Sequence, residues 1–93
     1  MASAFFVHHD ADNVGVAVAD IQRGQRVEGW LMESNGSLEL VANDDIPLGH
    51  KIALAPIGAG QTVVKYGHPI GKATRAIAKG EHVHTHNLKS ARW

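Results

Sequence analysis

A seven-residue pattern, Ile-x-x-Gly-x-x-(Val or Ile), occurs four times in this chain of 93 residues. In each copy the isoleucine can anchor a turn in the core, the glycine can adopt a left-handed backbone angle, and the β-branched residue can begin a strand. The copies start 25, 11 and 20 residues apart, which is too uneven for a solenoid of stacked repeats. The pattern therefore predicts a compact, irregular all-β fold built from one reused glycine turn. The four copies are Ile21-Gly24-Val27, Ile46-Gly49-Ile52, Ile57-Gly60-Val63 and Ile77-Gly80-Val83.

The segments between these turns also carry strand signals. Residues 13–20 alternate valine with small residues, which is the period of a strand. Residues 30–40 predict a hairpin with a type I′ turn at Asn35-Gly36, because both central positions of that turn need a positive φ angle. Helical periodicity is short-lived everywhere, so residues 71–80 are expected to form at most one short helix. The pairs opposite each other in the predicted hairpin are Leu31 with Leu40 and Trp30 with Val41.

The length of the chain predicts a single domain over residues 1–93 with a small core. A chain of this size buries only about 60–65% of the surface that its unfolded form exposes. Such a core leaves little room for an enclosed active site, which favours a binding module or one part of a composite enzyme. Nine basic residues balance nine acidic ones in scattered positions, which argues against nucleic-acid binding and against a membrane-surface helix.

Composition and the N-terminal sequence also bear on the compartment. The segment MASAFFVHHD has no basic stretch and only a short apolar run, unlike a signal peptide. No apolar stretch is long enough to span a bilayer. The chain contains no cysteine, which excludes disulfides and thiolate metal sites. We therefore expect a cytoplasmic protein that does not bind membranes.

Histidine is the unusual residue of this sequence, because seven are dispersed along the chain. His82, His84 and His86 alternate with other residues, and side chains two apart on a strand share a face about 6.6–7 Å apart. Two imidazoles at that spacing can bind one metal, but on a straight strand the third would lie about 13 Å from the first. A further ligand would then have to come from elsewhere. The alternative is a solvated or interface strand whose histidines only form hydrogen bonds.

A second cluster, VHHDADN, covers residues 7–13. His9, Asp10 and Asp12 combine imidazole and carboxylate, which divalent metals accept as ligands. A joint metal site could form if the first and last strands are neighbours and bring His9 beside His84. The alternative is a turn in which Asp12 or Asn13 bonds to its own backbone.

Two further segments place cations next to glycine turns. The sequence Gly-His-Lys contributes His50 and Lys51, and Lys-Tyr-Gly contributes Lys65 and Tyr66. Ammonium groups and a tyrosine hydroxyl near a turn can bind a carboxylate, and the alternative is ordinary strand surface. The sequence has no glycine-rich phosphate loop and no serine or cysteine nucleophile motif.

Four segments taken together resemble a known family. HDADNVGVAVADI, DIPLGHKIAL, VVKYGHPIGKA and GEHVHTHNLK are similar, in this order, to the small-subunit or N-terminal region of the altronate dehydratase family, which also forms the alpha subunit of (2R)-sulfolactate sulfo-lyase. The similarity covers residues 7–89. It implies an SAF-type β-clip fold, a large catalytic subunit as partner, and a divalent metal, Fe²⁺ in the first place, with Mn²⁺ or another cation as alternatives.

The matching segments assign candidate roles to individual residues. Galactarate dehydratases resemble this chain at the other segments without the histidine triplet, which leaves a second role open for the triplet, the tuning of substrate choice or of proton transfer. The candidate catalytic residues are His9, His50, Tyr66 and His84. The candidate substrate-binding residues are Asn13, Lys51 and Lys65, and the candidate metal ligands are His9, Asp12, His82, His84 and His86.

The resemblance and the residue types predict one function and leave one alternative. The predicted function is the small subunit of a two-subunit, metal-dependent lyase that acts on a 2-hydroxy carboxylate by proton abstraction and β-elimination. Its substrate would be sulfolactate, giving sulfite and pyruvate, or altronate or another sugar acid, which it would dehydrate. The alternative is a stand-alone β-clip module that binds a metal or a small anion without catalysis. In isolation the chain could associate with itself through an exposed edge strand.

Overall fold

The computed structural model describes residues 3–90. Within that range the chain forms nine short strands and no helix, which confirms the all-β prediction. Residues 71–80 complete a strand and enter a glycine turn. In the described range no helix is long and apolar enough to cross a membrane. The strands are β1 (Phe5–Val7), β2 (Val14–Ala17), β3 (Arg26–Leu31), β4 (Gly36–Val41), β5 (Lys51–Ala53), β6 (Thr62–Lys65), β7 (His68–Ala73), β8 (His82–Val83) and β9 (Leu88–Ser90).

The strands form two sheets around two adjoining apolar clusters. The larger sheet has the order β4-β3-β1-β2-β5-β8, and the smaller has the order β6-β7-β9. Neighbouring strands are antiparallel except β1 and β3, which are parallel. Strands β2 and β5 contribute to both clusters, because residues that alternate along a strand point to opposite faces. Ala17 and Ile52 enter the first cluster, whereas Val14 and Ala53 enter the second.

The four predicted glycine turns are present and share one construction. Each isoleucine is buried, and each glycine has a φ angle between +80° and +87°. The turns work in reciprocal pairs, since Ile21 bridges Ile46 and Ile57 bridges Ile77. Each glycine N–H donates a hydrogen bond of 2.8 Å to the carbonyl oxygen of a buried alanine. Each of these alanines lies four residues before an isoleucine of the pattern. These bonds run from Gly24 to Ala42, Gly49 to Ala17, Gly60 to Ala73 and Gly80 to Ala53.

The hairpin of residues 30–40 is present, but its predicted turn and register are wrong. The turn uses residues 32–35, and Asn35 alone of the two predicted central residues has a positive φ, +57°. Leu31 therefore pairs with Gly36, and Leu40 pairs with Val27 instead of Leu31. The longer turn places the buried side chains of Val27 and Leu40 opposite each other. The register shifts, but each side chain stays on the same face of its strand.

Gly80 and Gly49 offer a matched test of how tightly the turns pack. Both have a positive φ, but a Cβ at position 80 would overlap the carbonyl oxygen of Val41, whereas one at position 49 meets nothing within 4 Å. We expect Gly49→Ala to lower the free energy of unfolding by about 1 kcal/mol through its backbone angle alone. Gly80→Ala should lower it by about 2–4 kcal/mol, because the overlap adds to that strain. Equal losses in urea unfolding would contradict this packing.

Candidate metal and substrate site

The histidine triplet lies on a turn and not on a straight strand. His82 is in β8, but the chain bends at His84 and turns over residues 85–87. The buried side chain of Asn87 holds this turn, since its Oδ1 accepts the His84 N–H at 2.9 Å and its Nδ2 donates to the His82 carbonyl oxygen at 2.8 Å. The bend brings the ring centroids of His86 and His82 to 5.2 Å, so the separation predicted for a straight strand is wrong.

His50 joins the triplet from a neighbouring strand. It follows the turn at Gly49 and precedes β5, which pairs with β8. The His50 ring stacks on the His84 ring at a centroid distance of 4.2 Å, and its Nδ1 lies 2.9 Å from His82 Nε2. In the described part of the chain, His50, His82 and His84 form the group whose ligand atoms all lie within 4.8 Å of one another. His50, a candidate catalytic residue on sequence grounds, can thus supply the further ligand that the triplet needs.

The surroundings of His82 and His84 favour the form of imidazole that binds metals. Partial burial and then the neighbouring His50 lower the pKa of both His82 and His84, which favours neutral rings at pH 7. Neutral imidazole is the ligating form. The carboxylate of Asp44 accepts the His82 backbone N–H at 3.0 Å and so supports the strand next to the group.

Two lysines line an open cleft beside His84. Lys51 follows His50 on β5, and Lys65 ends β6. Burial and the charge of Lys65 lower the pKa of Lys51. The cleft has a volume of about 340 Å³. Its lining residues are Lys51, Lys65, Ile70, His84, Thr85, Leu88 and Ser90.

Tyr66 stands next to the lysines in a strained backbone conformation. Its φ is +56°, which is uncommon for a bulky residue. The carboxylate of Asp12 stabilises this turn by accepting the N–H groups of Tyr66 at 3.0 Å and Gly67 at 2.8 Å. It also accepts the His9 N–H at 3.2 Å. The exposed Tyr66 ring stacks on the His8 ring at 4.0 Å, and Lys65 Nζ lies 5.0 Å from its centroid.

Asn13 is also tied to the backbone of β6. Its Nδ2 donates to the Thr62 carbonyl oxygen at 3.0 Å, and its Oδ1 accepts the Val64 N–H at 2.8 Å. These bonds, like those of Asp12, fix the position of β6 and its turn. Metal binding by Asp12 and substrate binding by Asn13 stay predictions.

His9 belongs to a different cluster from the histidine triplet. Its Nε2 lies 3.2 Å from Glu33 Oε2, and its Nδ1 accepts the Ala11 N–H at 3.3 Å. Glu33, which comes from the turn between β3 and β4, also accepts the Asp10 N–H at 3.0 Å. No sequence pattern indicates Glu33, because its contact with His9 depends on the meeting of two distant loops. The sequence suggests a joint metal site of His9 and His84. Within residues 3–90, these two histidines do not come together with a third possible ligand in one such site.

Neighbouring side chains connect the three-histidine group with His8 through the two lysines and Tyr66. His84 and the two lysines line the same cleft, Lys65 lies by the Tyr66 ring, and Tyr66 stacks on His8. We call this series the histidine–lysine face. It consists of His50, His82, His84, Lys51, Lys65, Tyr66 and His8.

Comparison with known proteins identifies the family. The family model described as the altronate/galactarate dehydratase SAF domain matches residues 3–91, nearly the whole chain. The chain belongs to this family. It is 44% identical over 90 residues to (2R)-sulfolactate sulfo-lyase subunit alpha of Chromohalobacter salexigens, covering 95% of this chain and 96% of that subunit.

Two dehydratases contain a similar region within much longer chains. The SAF domain described here is 42% identical over 87 residues to altronate dehydratase of Bacillus subtilis, of which it covers 16%. It is 40% identical over 81 residues to galactarate dehydratase (L-threo-forming) of Escherichia coli, of which it covers 14%. The same domain thus occurs as a short separate subunit and as a small part of a long enzyme.

The stability of this SAF domain is expected to fall as the pH is lowered from about 7.5 to about 5.5. Unfolded histidines bind protons with a pKa of about 6.5, whereas the folded pKa values of His82 and His84 are lowered, so the unfolded state binds more protons in this window. Urea unfolding at both pH values measures the effect. The double substitution His82→Gln with His84→Gln should reduce the pH dependence, and an unchanged dependence would contradict this origin.

Proposed function

We propose that this chain is the small subunit of a metal-dependent lyase that acts on a 2-hydroxy carboxylate, with (2R)-sulfolactate as its substrate. The observation that carries the proposal is the match over almost the full length of both this chain and a sulfo-lyase alpha subunit. Altronate and related sugar acids are the second substrate class, because altronate dehydratase contains a similar region. The partner is a large subunit that carries the rest of the catalytic machinery, and the compartment is the cytoplasm.

A divalent metal held by His50, His82 and His84 is part of this proposal. Their nitrogen atoms lie close enough together to converge on one ion after small shifts. Imidazole ligands suit iron as well as zinc, copper and nickel, and we propose Fe²⁺. When bound, such a cation would polarise the carboxylate and 2-hydroxyl group of the substrate and acidify the proton on carbon 2.

Other residues of the histidine–lysine face, and His9 outside it, have proposed roles that follow from their positions. Lys51 and Lys65 present positive charge to an anionic substrate in the cleft. Tyr66, with an exposed ring beside an ammonium group, is placed to exchange a proton with the substrate. His9, oriented by the Glu33 carboxylate, is the second candidate for proton transfer. Loss of the carbon-2 proton and departure of sulfite from carbon 3 leave an enol that becomes pyruvate.

The cleft needs a second surface to become an active site. It is open to solvent on this chain, and water weakens the electrostatic interactions on which such a reaction depends. A large subunit packed over the histidine–lysine face would exclude that water. This arrangement explains why a domain with so small a core can take part in catalysis.

Reconstitution tests the proposed function. The chain is mixed with a large subunit of the sulfo-lyase or altronate dehydratase type and Fe²⁺, and sulfite release from sulfolactate and keto acid formation from altronate are measured. We expect activity that neither chain shows alone. A large subunit that is equally active without this chain would reject the catalytic role and leave the stand-alone binding module.

A further inference from the structure

The lining of the lysine cleft contains no acidic residue, whereas three other clefts formed by the described residues each contain at least one. The cleft at Arg23 and Arg75, for example, also contains Asp44, Asp45 and Glu81. In the ion pairs found among residues 3–90, neither Lys51 nor Lys65 has a carboxylate partner within 4.0 Å. Two ammonium groups therefore line one cleft in which residues 3–90 supply no carboxylate partner within 4.0 Å.

The surroundings make this charge pair unfavourable in the absence of a ligand. Lys51 and Lys65 are both partly buried, and the apolar side chains of Ile70 and Leu88 form part of the same lining. Because this lining is partly apolar and excludes part of the water, two like charges at one cleft repel each other more strongly than they would in bulk water. An anion bound between the lysines would offset the repulsion between the two ammonium groups.

His84 lines the same cleft and also belongs to the three-histidine group. A small acid that reaches from this group into the cleft would need an anionic group at each end, one for the metal and one for the lysines. Sulfolactate has both a carboxylate and a sulfonate, whereas altronate has one carboxylate and would offer only hydroxyl groups to the lysines.

We infer that Lys51 and Lys65 form a binding site for the second anionic group, sulfonate or carboxylate, of a dianionic 2-hydroxy acid. This inference rests on the proposed function and adds to it the residues that recognise the second anionic group of the substrate. It makes the cleft a determinant of specificity, because a monoanionic sugar acid leaves the two lysines unpaired.

An anion titration of the isolated chain tests the site without requiring catalysis. Sodium sulfate is added at constant ionic strength, with chloride as the balancing ion, and backbone amide shifts are followed by ¹H–¹⁵N NMR. We expect saturable shifts around the cleft, and a Kd that rises about tenfold in Lys51→Met and in Lys65→Met. Lys72→Met is the matched control, because Lys72 is exposed on β7 and carries the same charge. Absent shifts, or equal weakening in all three variants, would overturn the inference.

The assembled enzyme separates this inference from the proposed function. Lys65→Met should raise the KM for sulfolactate about tenfold and change the KM for altronate far less. An active enzyme whose KM values are unchanged by this substitution would reject the lysine site and leave the lyase function standing. An assembly that is inactive on both substrates, with sulfate still bound at the cleft of the isolated chain, would reject the lyase function and support the anion site.

Discussion

Replacing His50 with alanine is expected to weaken the binding of a divalent metal to this chain by at least about 10- to 100-fold. That range is typical when a residue that only hydrogen-bonds to a metal ligand is lost, and His50 is proposed as a ligand itself. The His50 ring contacts the rings of both His82 and His84, and its Nδ1 lies 2.9 Å from His82 Nε2. Without it, two imidazoles remain, and they come from one short turn. Titration with Co²⁺, followed by its visible absorption, measures the affinity.

The control for this experiment is His68→Ala. His68 is exposed on β7 and lies outside the three-histidine group, so its loss should leave Co²⁺ affinity unchanged. Circular dichroism of both variants checks that the fold is retained. Equal affinity in His50→Ala and the original chain would show that metal binds elsewhere, for example at His86 or in the cluster of His9.

Replacing Asp12 with alanine is expected to lower the free energy of unfolding by about 3–5 kcal/mol, since each hydrogen bond to a charged group contributes about 1.5–3 kcal/mol. Asp12 is 8% exposed, and its carboxylate accepts three backbone N–H groups, those of His9, Tyr66 and Gly67. The loss leaves these donors unpaired and releases the strained turn at Tyr66. Urea unfolding measures the change.

Asp10→Ala is the matched control for this prediction. Asp10 is an exposed carboxylate in the same loop, and its replacement should change stability by less than about 0.5 kcal/mol. If Asp12→Ala is no more destabilising than Asp10→Ala, the carboxylate does not hold the turn. A fully stable Asp12→Ala chain that fails to bind metal would instead favour the ligand role predicted for Asp12.

Local chemistry explains what could be predicted from the sequence. The glycine turns depend on a backbone angle that glycine adopts readily and on one apolar anchor, and both are visible within seven residues. The predicted hairpin register is wrong because Asn35-Gly36 satisfies the local sequence rule for a type I′ turn, while burial of Val27 against Leu40 favours a longer turn. Local turn chemistry predicted the presence of the hairpin but not its pairing.

The candidate site was only partly predictable, because its residues meet through tertiary contacts. Residue type and spacing indicate the histidines and lysines as candidates. The spacing of His82, His84 and His86 suggests a straight strand, but Asn87 imposes a turn there. The convergence of His50 on His82 depends on the pairing of β5 with β8. Glu33 reaches His9 from a turn 24 residues away in the sequence, and no spacing pattern indicates that pair.

The proposed metal centre is tested most directly by anomalous scattering from crystals of the assembled enzyme loaded with Fe²⁺, with data collected on both sides of the iron absorption edge. We expect an iron peak about 2 Å from a nitrogen atom of each of His50, His82 and His84, at the boundary with the large subunit. Iron found only within the large subunit, with the His50–His82 hydrogen bond intact, would contradict it.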